Sequence, residues 1–182
     1  VRENGRVTDP QSEQRRRDIA APAYPDDTGA ADERLVDVLG RYARREATYA
    51  DVLAVLIDSR LIVPVVAVLG EVDESGADKT ADMATVLLTG ADGRQALLAF
   101  TSLDTMAAWQ ADARPVAVPA GDAAKAALQD HAAALVVDVA GPVTFVVEGE
   151  DLYGLGAGWS LAHVGDGRSA WIRPAGDSAS AE

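Results

Sequence analysis

The chain has 182 residues, with 16 Lys+Arg against 29 Asp+Glu for a formal net charge of −13, two histidines and no cysteine; this is room for one domain of ordinary size. The absence of cysteine excludes disulfide frameworks, thiolate zinc sites, iron–sulfur ligation and cysteine nucleophiles. Hydrophobic residues make up 48% of the composition, but 36 positions are alanine, so the core must be built from Leu and Val with few rings.

Residues 1–50 hold nine basic and ten acidic side chains, and residues 51–182 hold seven and 19. An acidic surface of this kind repels nucleic acid and anionic lipid, and neither is expected as a partner. The first 30 residues contain no apolar run of signal-peptide length, and no stretch reaches the ~20 apolar residues of a spanning helix. A soluble, cytoplasmic chain is the expectation, with Val7 as natural a beginning as Val1.

Residues 1–30, with Pro10, Pro22, Pro25 and the run Arg15-Arg16-Arg17, read as a disordered polar leader. From Asp32, an N-cap residue type, Leu35, Leu39 and Tyr42 fall at i, i+4 and i+7 and predict an amphipathic helix. Thr48 with Asp51 three residues on resembles a capping box, and Tyr49, Val52, Leu53 and Leu56 carry a second helix to about Ser59. The period then changes. Leu61 to Leu69 is strand-like, and because Pro64 cannot donate to a ladder this strand is expected at a sheet edge or bulged. An acidic loop follows over 71–82.

Two strands, Ala84 to Thr89 and Gln95 to Thr101, flank the turn signal Asp92-Gly93 and predict a hairpin. Thr101, with Asp104 three residues on, is expected to cap a helix through Leu103, Met106 and Trp109. Arg114 to Val118 reads as a strand, Ala120 to Ala133 as an alanine-rich helix anchored by Leu128, and Leu135 to Val139 as a buried strand. After the Gly141-Pro142 turn, Val143 to Val147 alternates as another strand, and residues 148–156 form a short helix. A terminal hairpin, Ser160 to Val164 with Ser169 to Arg173, closes the pattern. The order predicts a single α+β domain, a mixed or antiparallel sheet with helices packed on it. Its expected limits are a domain over 31–157, a hairpin extension over 158–175 and a disordered tail over 176–182.

Several pieces occur in a fixed order: Arg60 to Ala67, the Asp92-Gly93-Arg94 turn, Ala99 to Ser102 with Trp109, Ala113 to Val116, Val136 to Asp138, and Gly141-Pro142. Together, over roughly residues 35–157, they resemble the N-terminal domain of the SseB family in its short actinobacterial form, without the second domain of longer members. The resemblance implies no reaction and no catalytic residues to carry over. The serine-sensitivity phenotype behind the family name is the one reason to consider an amino acid as ligand. A secretion translocon component shares that name, but such a subunit needs a long coiled coil or a membrane-inserting segment, and the sequence shows neither.

The most enzyme-like string is Gly154-Leu155-Gly156-Ala157-Gly158. A dinucleotide fingerprint needs a strand before its first glycine and a helix after its last; here a helix precedes, so a helix stop is expected and no cofactor is assigned. Ser102 follows a strand, but no glycine-bracketed elbow surrounds it, so it reads as a cap. Asp138 lies in one apolar strand and Arg114 opens another; if those strands are neighbours, the two pair as a structural ion pair or as an acid beside its partner. His131 and His163 lack companions at ligand spacing, and no metal is assigned. Trp109, Trp159 and Trp171 are three of nine aromatic residues, and Trp is enriched at binding hot spots. The candidate contacts are therefore Arg114, Asp138, Trp109, Trp159 and Trp171. The expected function is a non-enzymatic interaction or regulatory module binding a protein partner. The alternative is a sensor of an amino acid or other carboxylate, met by Arg114.

Overall fold

A computed structural model describes residues 24, 26–68, 82–164 and 168–174. The acidic loop, the turn of the terminal hairpin, the tail and most of the leader lie outside the described residues.

Helix α1 (Glu33–Ala43) starts where Asp32 accepts hydrogen bonds from the Arg34 and Leu35 amides, and it buries Leu35, Val38 and Leu39. Helix α2 (Tyr49–Leu56) opens on the expected capping box, Thr48 with Asp51, and buries Val52, Leu53 and Leu56. Both helices therefore begin at residues whose side chains satisfy amides that the helix itself leaves unbonded.

Strand β1 (Arg60–Val68) is central, not at an edge. It pairs antiparallel with β2 (Asp82–Thr85) on one side and with β5 (Arg114–Pro119) on the other. Pro64 is tolerated because of register. Ile62 exchanges both backbone hydrogen bonds with Phe100, at 2.8 Å each, so the missing donor of Pro64, two residues on, faces the same side. It falls in the gap before the β2 ladder begins at Val65↔Thr85. Across the other ladder Pro64 stands opposite Pro115, and neither nitrogen is required by the other.

The second sheet runs β3 (Leu87–Thr89), β4 (Gln95–Ala99), β6 (Ala134–Val137), β7 (Phe145–Glu148). The pair β4 and β6 is parallel and the outer pairings are antiparallel, which makes the chain an α+β fold. The expected hairpin exists between β3 and β4, with Gly93 at φ 80 in its turn. Its first strand, however, is divided at Val86: the part before it joins β1 and the part after it joins β4.

Helix α3 (Leu103–Trp109) is capped by Ser102 with Thr105, not by Thr101; the Thr101 hydroxyl is used elsewhere. Helix α4 (Ala120–Gln129) faces the core with Ala120, Ala123, Ala124 and Ala127. Leu128, the expected anchor, is only partly buried. Small side chains on this face let α5 (Gly149–Gly156) approach closely: a Cβ on Gly156 would lie 3.1 Å from the Lys125 amide nitrogen and 3.2 Å from the Ala124 carbonyl carbon. The terminal hairpin, β8 (Ser160–Val164) with β9 (Arg168–Ile172), forms in the register Ser160↔Ile172.

The end of the expected leader is docked. Asp27 pairs with Arg60 at 2.6 Å, the carbonyls of Ala30 and Thr101 accept from the same guanidinium, and the Gly29 carbonyl accepts from the Leu103 amide at 2.9 Å.

Candidate functional site

The parallel strands β4 and β6 end side by side, and Asp138 joins them. Its backbone takes φ 55, a left-handed value uncommon outside glycine. Its side chain is 3% exposed. One carboxylate oxygen accepts from the Thr101 amide at 2.9 Å and the other from the Thr101 hydroxyl at 2.7 Å. Gly141 is glycine because a Cβ there would lie 2.8 Å from the Asp138 Cβ. A carboxylate this deep needs compensation for lost water, and Thr101 supplies it without a cation.

Arg114 is not that cation. It opens β5 in the other sheet, opposite Val65, is exposed, and forms no ion pair among the described residues. The two strands are not neighbours, so the pairing considered from sequence does not form. Between Asp138, Ser102, Thr105 and the α1 side chains Val36 and Leu39 lies a cavity of about 210 Å³. The Ser102 hydroxyl accepts the Thr105 amide at 3.1 Å as the helix cap.

The glycine string has three separate structural causes. Gly154 lies directly under the Trp171 indole, with no room for a Cβ; Gly156 allows the close approach to α4; Gly158 takes φ 69 after the helix end. Trp171 is thereby committed to its own chain. Its ring packs against the main core and its N–H donates to Asp151 at 2.8 Å. Asp151 also hydrogen-bonds Tyr49, whose ring stacks on Phe145 at 4.9 Å. Burial, then the Asp151 charge and hydrogen bond, raise the Tyr49 phenol well above its ordinary value. Trp109 is half-buried and stacked on Phe100 at 5.6 Å, beside Ile62, Leu98 and Met106.

Trp159 differs from the other two. It lies in the connection from α5 to β8, edge-on to Tyr153 at 5.3 Å, with the Arg173 guanidinium 4.8 Å from its ring centroid. Tyr153 is 53% exposed and Ile172, paired with the residue after Trp159, is 55% exposed. A groove of about 440 Å³ adjoins Trp159, lined also by Leu155, Ile57, Ala54, Asp58 and Asp122 among others.

The sequence profile of the SseB protein N-terminal domain matches residues 34–153. The chain belongs to the SseB family. The match spans α1 to α5 and ends at Tyr153, so Trp159 and the β8–β9 hairpin follow the matched SseB segment. No curated protein and no solved structure matches the chain. In this SseB domain no helix among the described residues is long and apolar enough to cross a membrane. No group of three or more potential metal ligands gathers among them; His131, at φ 58, serves as the left-handed residue after α4.

Asp58, Asp122, Tyr153 and Ile172 were not singled out by sequence reasoning. Asp58 and Asp122 are 64 positions apart and meet only because α2 and α4 border one groove. Tyr153 carried a weak signal, an aromatic residue six positions before Trp159 on the outer side of a short helix.

Proposed function

We propose that this SseB domain is a cytoplasmic, non-enzymatic interaction or regulatory module that binds a protein partner at the surface centred on Trp159. The observation carrying this reading is the aromatic pair of Tyr153, 53% exposed, and Trp159, set edge to face outside the core in a chain with nine aromatic residues. The exposed Tyr153 ring and the half-buried Trp159 ring, held by its neighbours, offer a partner contact area at low entropic cost. The side chains with chemical potential are engaged structurally: Asp138 with Thr101, and Ser102 with Thr105.

A tagged chain used for capture from native cytoplasm, with quantitative mass spectrometry, tests the reading. A partner enriched on the wild type and lost from folded Trp159→Ala is expected. Equal capture by both, or none, removes it. The sensor alternative draws support from the cavity beside Asp138, although the cavity presents a carboxylate and Arg114 does not line it. A melting temperature raised by amino or keto acids would favour that alternative.

A further inference from the structure

The groove beside Trp159 has a chemistry more specific than an apolar patch. Its walls are Ala54 of α2, Ile57 at the C-cap of that helix and Leu155 of α5, and its rim carries Asp58, the residue after Ile57, and Asp122, in the first turn of α4. Both carboxylates are exposed, and neither forms an ion pair among the described residues. Arg34 lies in electrostatic reach of Asp58, but its guanidinium is held by Asp32 at 3.1 Å. Lys125, three residues after Asp122 on the same helix, forms no ion pair with it. At about 440 Å³ the groove is in the range of ligand clefts.

We infer that this groove seats a basic side chain, Lys or Arg, of an extended partner segment whose neighbouring residues are apolar. The inference rests on the protein-partner reading above and names the partner's chemistry. Three features point to a cation. The two carboxylates stand uncompensated at the rim. The Trp159 indole that lines the groove carries one guanidinium, that of Arg173, and an aromatic face attracts such groups most strongly when they are desolvated. The chain beyond residue 50 has 19 acidic against seven basic side chains, a field that draws basic segments in and rejects acidic ones. A free inorganic cation would leave the apolar walls without a function. A peptide covers them, and its flanking residues continue past Trp159 onto Tyr153.

The direct test is fluorescence anisotropy of a dye-labelled nonapeptide that alternates leucine with arginine and lysine between glycine ends, titrated with the full chain. Saturable binding is expected, weakened by rising salt. It should also weaken roughly tenfold or more in the double variant Asp58→Asn, Asp122→Asn and in Trp159→Ala. These positions are at the surface, and circular dichroism and melting temperature verify that each variant is folded. No saturable binding, binding unchanged in the double variant, or equal binding of the same peptide with glutamate in the basic positions overturns the inference. Tighter binding by the full chain carrying Arg15→Ser, Arg16→Ser and Arg17→Ser would assign the groove to the chain's own arginine run and overturn it too. The two readings fail separately. A captured partner that depends on Trp159 but not on Asp58 and Asp122 keeps the function and removes the basic segment, whereas no captured partner removes the function itself.

Discussion

Asp138 and Tyr49 show how single polar groups are accommodated in a core with few rings. Asp138 spends its two oxygens on one residue, Thr101, and so ties the end of β6 to the end of β4. Tyr49 stacks on Phe145, whose ring also takes an edge contact from Tyr42, and hydrogen-bonds Asp151. Its raised pKa means that the folded state holds the phenolic proton more tightly than the unfolded state does. The stabilisation is therefore complete below the ordinary phenol value of about 10 and is lost as pH rises above it. An alkaline titration followed by tyrosinate absorbance should show one of the four tyrosines ionising late, together with unfolding. In Tyr49→Phe that late step should be absent; its persistence would mean another tyrosine carries it.

The elements of the C-terminal third pack by subtraction of side-chain volume. Alanines on α4 and glycines on α5 let the two helices meet, and the vacancy over Gly154 is filled by the Trp171 ring. The two terminal tryptophans thus contribute differently although one immediately precedes the terminal hairpin and the other lies in its second strand. Trp171→Ala removes a ring packed on the core and leaves Asp151 short of a donor, a loss of about 3 kcal/mol. Trp159→Ala removes contacts to Tyr153 and Arg173 at the surface, less than about 1 kcal/mol. Denaturant unfolding of the two single variants measures the difference. Equal losses would place Trp159 in the core's service and weaken its role as a partner anchor.

Across the whole molecule, the segment before α1 is part of the fold's closure. Arg60 opens the central strand, and its guanidinium is bonded by Asp27, Ala30 and Thr101, with its side chain 13% exposed. Deleting residues 1–30 would leave that charge half-buried without its carboxylate, at a cost of about 2–3 kcal/mol. Deleting residues 1–23 keeps Asp27 and Gly29. Melting temperatures of the two truncations should therefore separate by several degrees, and coincident values would show that the Asp27 contact contributes nothing.

Local rules were sufficient where the deciding atoms are near in sequence. Asp32, the Thr48–Asp51 box, the Asp92-Gly93 turn and the alternation around Val147 each identify an element because caps, tight turns and side-chain period are settled within a few residues. The SseB resemblance was legible for the same reason, as short pieces in a fixed order. Only tertiary structure decided the partners. Pro64 sits in a central strand because the ladder changes from Phe100 to Thr85 at that point. Thr101 serves Asp138 and leaves the cap to Ser102. Arg114 and Asp138 are parted because β5 pairs with β1 while β6 pairs with β4. Asp58, Asp122 and Trp159 become one groove through the docking of α2, α4 and α5. Strand pairing and helix docking bring together residues tens of positions apart, and no local propensity encodes which of many similar apolar faces will meet.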